Sequence, residues 1–323
     1  MKLRHIISLT AIVVGGLFVS WGAAHHGIQA VTWDHEANAL AVTKTTTRTV
    51  HPDSYDTLAI NTKLPVVVRP SNVNKLTIKQ QSTNQTKHPV TTTLDHKTLT
   101  ISGGDNRQHS LMIHGLAITT DDEAFDTSAH ILVEVPKRTS LKHLVLKKSW
   151  SVRLENLTVQ DVQGSTGGSF QAKNTTFEKK LDLRKGDADI YLTSVTAPEV
   201  LAHTGDGDIQ VKQSTFKSDQ NQFTTEDGDI YLSTTELGGG RLDSSDGDIH
   251  VRNNHLHGTL AARTYEGDLY GLVPDTAGVT VYGTDDSDIQ LFGRMRKSGT
   301  TIRPNAKVQY SFNTGDDGDI TVR

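Results

Sequence analysis

The chain has 323 residues, and 33 Lys plus Arg stand against 37 Asp plus Glu, a formal net charge of −4. That balance lacks the Lys/Arg excess a general nucleic-acid surface needs, so no nucleic-acid partner is expected. There are no cysteines, which removes disulfides, zinc–thiolate sites and thiol catalysis, and the 35 % hydrophobic share suits strands with one wet face and many tight turns.

At the N-terminus Lys2, Arg4 and His5 precede an unbroken apolar stretch from Ile6 to Ala24, with Asp34 and Glu36 beyond it. Such a positive flank directs the downstream chain out of the cytoplasm. As a helix the stretch would be about 28 Å long, close to the roughly 30 Å hydrocarbon core. Residues 1–26 are therefore expected to be a signal peptide or an N-terminal membrane anchor. Gly22-Ala23-Ala24 offers a cleavage site, while Trp21 and the length favour an anchor.

Residues 27–50 are polar and rich in Thr, including Thr45, Thr46, Thr47 and Thr49, and read as a linker or an initial extended strand. From residue 51 to 140 short alternating runs recur: Leu58-Ala59-Ile60, Val66-Val67-Val68, Leu76-Thr77-Ile78, Leu99-Thr100-Ile101 and Ile131 to Val135. Turn-formers separate them, which predicts a β-rich N-terminal domain, with 106–127 its least regular part.

Residues 141–323 carry an internal repeat. Asp206-Gly207-Asp208-Ile209 returns at Asp227 to Ile230, Asp246 to Ile249 and Asp317 to Ile320, with looser copies at Asp187 to Ile190, Glu266 to Leu269 and Asp286 to Ile289. The apolar residue is phased at 190, 209, 230, 249, 269, 289 and 320; only the last gap is long. The residue two further on is apolar again at Leu192, Val211, Leu232, Val251, Leu291 and Val322, so both point inward. A second apolar strand precedes each motif, at Leu183, Leu201, Phe223, Leu242, Ala262 and Val281. This pattern predicts an all-β chain, a β-rich domain followed by a β-solenoid of about nine coils of roughly 20 residues. A meander of Asp-Gly hairpins is the alternative, and the uniform spacing favours the solenoid.

The ordered combination of Leu58-Ala59-Ile60, Val133-Glu134-Val135-Pro136 followed by Leu141 to Leu146, and the Gly-Asp-Ile-type turns resembles the DUF4097 family of bacterial envelope proteins, called adhesins by analogy. The resemblance covers about residues 51–323. It implies a non-catalytic, surface-exposed β-helical protein, some of whose relatives are tied to envelope-stress regulation, and it supplies no catalytic residues.

Stacked coils would align the carboxylates of Asp206, Asp227 and Asp246 in one column and of Asp208, Asp229 and Asp248 in another. Like charges about 5 Å apart repel by roughly 1 kcal/mol in water, so something must offset them. Calcium is one answer; the other is hydrogen bonding to turn N–H groups, with Gly supplying positive φ. Tyr191, Tyr231 and Tyr270 fall on an outward ribbon with Gln210 and His250, a spacing on which sugar rings of a cell-wall glycan could stack, against the plainer reading of Tyr as a good strand residue. Arg294, Arg296 and Lys297, with Arg303 and Lys307, occupy the long gap and suit anionic polymers or lipid headgroups, or form a solvated loop. His250, His255 and His257 have spacings compatible with a strand-borne zinc site, but no acidic or Cys partner follows at closed-site spacing. No nucleophile–base order or phosphate loop is present, although a carboxylate pair such as Asp229 and Asp248 in a polysaccharide-degrading solenoid is compatible with the sequence. The expected protein is a non-enzymatic binder of wall glycan, host matrix or an envelope protein, without a cofactor unless calcium.

Overall fold

The computed structural model describes residues 31–34, 39–42, 44–82, 89–104, 112–114, 117–119, 129–137, 141–184, 186–316 and 318–323. The expected signal or anchor, residues 1–26, lies outside them. Among the described residues all regular structure is β, and no helix is long and apolar enough to cross a membrane.

Each coil follows from its own residues. In the coil that starts at Ile230, alternation buries Ile230 and Leu232 and turns Tyr231 and Ser233 outward. Thr234 then takes φ 51°, a left-handed corner that recurs at Asn156, Asn174, Ser194, Gln213 and Asn253. The Thr234 N–H donates to the Arg252 carbonyl of the next coil at 3.0 Å, so the corner leaves no donor unpaired. A two-residue strand, Glu236–Leu237, buries Leu237, and Gly240–Asp243 buries Leu242. The turn 244–248 then returns the chain to Ile249. A coil thus has three strands; the middle one is too short to show as a period in the sequence.

Successive coils pair in parallel and in register, so Ile190, Ile209, Ile230, Ile249 and Leu269 form one column. This is the solenoid, and the hairpin meander is excluded for the array. Its interior is one continuous apolar cluster running from Tyr55 to Val322. Each large side chain fully buried there contributes at most about 1.5–3 kcal/mol. One residue departs from expectation: Leu201 faces outward and is half-buried, while Val200 and Ala202 fill the core. The inward residue stands seven places before the phased Ile, as Phe223 does before Ile230, and seven before Ile209 is Ala202. Size had suggested Leu201; phase decides for Ala202.

The ladder extends to strands on the other side of the expected domain boundary. Leu144, Val145 and Leu146 pair in parallel with Leu58, Ala59 and Ile60, and Val152, Arg153 and Leu154 with Val66, Val67 and Val68, so the strands 57–62 and 66–71 belong to the same stack. Beyond them the direction changes. Lys75–Ser82 runs antiparallel to His130–Pro136 and to Lys44–Val50, and Thr91–Asp95 antiparallel to Thr98–Gly103. Residues 31–34 and 39–42 form a separate four-stranded sheet with Met112–His114 and Ala117–Thr119.

At the other end the coils stack out of chain order. Gln309–Thr314 pairs with Thr259–Thr264 on one side and Gly278–Tyr282 on the other, and Ile320–Val322 lies between Leu269–Leu272 and Ile289–Leu291. The spatial order of the phased column is therefore 249, 269, 320, 289. The long last gap is explained by an end hairpin, in which Arg294–Met295 folds back antiparallel on Ile289–Leu291, and by Thr301–Ile302, which then lies antiparallel on Gly278–Tyr282. After it the chain doubles back to fill the slot beneath.

Candidate functional site

The Asp-Gly-Asp turns are built by two polar columns and a column of glycines. The Oδ1 atoms of Asp189, Asp208, Asp229, Asp248, Asp268 and Asp319 each accept the backbone N–H of the matching Asp one coil on, at 2.8–2.9 Å. Each negative charge thus faces an N–H dipole, which offsets the repulsion along the column. A buried hydroxyl clamps the turn from inside: Thr225 donates to the carbonyls of Gly205 and Gly207 at 2.9 and 3.0 Å and accepts the Gly228 N–H at 3.1 Å. Ser244 and Thr264 repeat the arrangement. The expected role of glycine is corrected: Gly207, Gly228 and Gly247 do not have positive φ. They are needed because a Cβ would overlap backbone atoms of the preceding coil, for Gly247 the Gly228 carbonyl.

Of the six carboxylates considered for calcium, Asp208, Asp229 and Asp248 are half-buried and bonded to backbone, whereas Asp206, Asp227 and Asp246 form an exposed ridge without a Lys or Arg partner among the described residues. No three His, Cys, Asp or Glu side chains among the described residues converge closely enough to hold a metal ion. Asp229 and Asp248 are consecutive rungs joined by the Asp248 N–H.

On the outward ribbon, Tyr191, Gln210, Tyr231, His250 and Tyr270 are consecutive rungs. The rings of Tyr231, His250 and Tyr270 stack in parallel, 4.7 Å between centroids at each step. The space between alternate tyrosines is therefore filled by His250, which leaves no open ring faces there for a sugar to enter. The hydroxyls of Tyr191, Tyr231 and Tyr270 donate to Asp189, Asp229 and Asp268 at 3.1, 2.7 and 2.8 Å. The bond to Asp229 pushes the Tyr231 hydroxyl up to about 12, the bond to Asp268 does the same for Tyr270, and burial, reinforced by Asp189, does so for Tyr191. Burial holds His250 below the ordinary imidazole value, and its Nδ1 is buried without a partner. Elsewhere, His257 Nε2 lies 3.0 Å from Glu236 Oε1, and His255 meets His257 edge-on. The hydroxyl clamp and the Asp-x-Tyr bond were not expected; their signals are the Thr or Ser three residues before Gly and the Tyr two after the second Asp.

Arg294, Arg296 and Lys297 are exposed on the end hairpin around Met295, which is 61 % exposed. None of the three has a carboxylate partner among the described residues. The loop 296–300 is fastened over the Asp-turn corner by the Arg296 N–H to the Ile289 carbonyl at 2.8 Å and by Ser298 Oγ to the Gly283 carbonyl at 2.7 Å. Basic residues thus lie where the acidic ridge would take its next step. Arg303, behind them, packs over the Phe292 ring at 5.5 Å.

The order of these features, a Val-Pro strand, then Asp-Gly turns stacked on a continuous parallel ladder, extends over most of the chain, and the family model described as Toastrack DUF4097 matches residues 55–323. The chain belongs to the DUF4097 family. Solved structures similar to this DUF4097 protein include a "putative adhesin" from Parabacteroides merdae, 13 % identical with a TM-score of 0.46, covering 87 % of this chain and 96 % of that one. Another "putative adhesin", from Parabacteroides distasonis, is 14 % identical with a TM-score of 0.44, covering 86 % and 97 %. A third, from the same species and described as a "putative lipid binding protein", is 12 % identical with a TM-score of 0.41, covering 86 % and 96 %. No curated protein matches.

Proposed function

We propose that this protein is a non-catalytic binding protein of the bacterial envelope, held outside the cytoplasm by its N-terminal segment, with the solenoid as scaffold and its basic end as the contact surface. The observation that carries this reading is the hairpin at Arg294, Arg296 and Lys297, three exposed cations without carboxylate partners among the described residues, around an exposed Met295. The turn columns support it by their occupation: the inner Asp, Thr and Gly positions are taken up in joining coil to coil, which leaves them no role toward a ligand. Cations around an apolar tip suit an anionic polymer or headgroup surface.

The test is co-sedimentation of residues 31–323 with vesicles containing anionic lipid and with isolated anionic wall polymer. The variant R294E/R296E/K297E is expected to weaken binding about a hundredfold or more, since each basic residue near an anionic surface is worth about 1 kcal/mol. Equal binding by the variant and the parent would refute the reading.

A further inference from the structure

The rung formed by residues 309–322 is a keystone. Among the described residues, every ladder pairing of Gly278–Tyr282 and Ile289–Leu291 is either with this rung or with the capping strands Thr301–Ile302 and Arg294–Met295. The outermost coil is thus attached to the body through a segment that comes after it in the chain. The slot is cut to that segment. Tyr310, Phe312, Ile320 and Val322 are all buried in it, and Gly271 stands at the one inward position of its column without a side chain, because a Cβ there would strike the Phe312 ring and Val322.

The ladder on either side of the rung is self-similar. Asp268 Oδ1 accepts the Asp319 N–H, and Asp319 Oδ1 accepts the Asp288 N–H, both at 2.8 Å. With the rung absent, Asp268 faces Asp288 with the same donor and acceptor. Leu269 and Ile289 are spaced as Ile249 and Leu269 are, so the outermost coil has the register to dock directly on 259–272. The connection that would have to move, residues 303–308, is mostly exposed. It is gathered by the Gln309 amide, which donates to the carbonyls of Arg303, Pro304 and Ala306 at 3.4, 3.0 and 2.7 Å.

We propose that residues 309–323 are an exchangeable rung, and that the partner they fit outside their own chain is the same slot of a second copy. Release exposes two parallel edges that lack a strand pair until they close on each other, and a segment of identical sequence from a second copy satisfies both. Exchange joins copies end to end through the solenoid core and needs no new surface.

Because the chain has no cysteine, single thiols report the exchange. Ala261 and Ser311 are register partners on the outward face, one strand apart. Variants A261C and S311C, each confirmed as folded by circular dichroism, are mixed and oxidised with glutathione disulfide, alongside a control mixture of Q222C with S311C. The expected result is a 261–311 linked dimer on non-reducing gels, several-fold above the control and increasing with protein concentration. Linkage no greater than the control overturns the proposal. Should A261C fail to fold, R263C with N313C tests the same pairing two residues along.

Discussion

Gly247 carries no side chain because the Gly228 carbonyl of the coil below occupies the place of a Cβ. Gly247→Ala must therefore push two coils apart at a closely packed turn, and a loss of about 3 kcal/mol is expected in urea unfolding. The same substitution at Gly293, where a Cβ meets nothing but φ is 74°, is expected to cost only about 1–2 kcal/mol. Thr234 is the reverse case: a β-branched residue held at φ 51° where sister coils use Asn156, Asn174 and Asn253. Thr234→Asn is expected to stabilise the fold by about 1 kcal/mol, read as a rise in Tm. His250 gives a pH signature. Its folded value is depressed, so the unfolded chain binds the extra proton first, and stability is lost as pH falls through the unfolded value near 6.5. His250→Gln should flatten that part of the stability profile between about pH 7.5 and 5; an unchanged slope would assign it to other groups.

At the scale of the element, the coil was legible because its strand period and its turn coincide: Ile209, Ile230 and Ile249 recur in phase with the Asp-Gly turn, and each phased residue is buried. What hid from the sequence had physical reasons. The strand Glu236–Leu237 is shorter than the window in which alternation can be seen, and Leu201 outweighed Ala202 in hydrophobicity while lying one place out of phase. The tyrosines fall on the outward ribbon, and the ring of His250 between Tyr231 and Tyr270 makes it a closed stack, in keeping with the plainer reading of Tyr as a strand residue that covers its neighbours. That stack makes its own alkaline prediction. Tyr231 and Tyr270 are raised to about 12 by their bonds to Asp229 and Asp268, so the stability these bonds give is fully present below about 10, the unfolded value, and is lost as pH rises toward 12. Asp229→Asn keeps an acceptor for the Asp248 N–H but removes the charge, and an ultraviolet titration should show Tyr231 ionising at lower pH than in the parent.

Among the described residues, an exposed acidic ridge runs along one corner of the coils, and the cations Arg294, Arg296 and Lys297 stand without carboxylate partners at one end. The out-of-order rung makes this geometry calculable. From the coil of Asp246 to the end hairpin the stack passes the rungs at 269, 320 and 289, so four steps of about 4.8 Å separate them, about 19 Å in all, and Asp227 and Asp206 lie farther. The Debye length at physiological ionic strength is about 8 Å, so these ridge charges are screened from anything touching the hairpin, whereas Asp286 on the outermost coil is not. If the protein meets anionic surfaces end-on, D206N/D227N/D246N should leave vesicle affinity within about twofold of the parent, while Asp286→Asn should raise it. A side-on approach gives the opposite ranking, because the ridge would then face the surface along its length. Titrating both variants against anionic vesicles at fixed salt separates the two orientations, and a stronger gain from the ridge variant than from Asp286→Asn would rule out contact through the basic end.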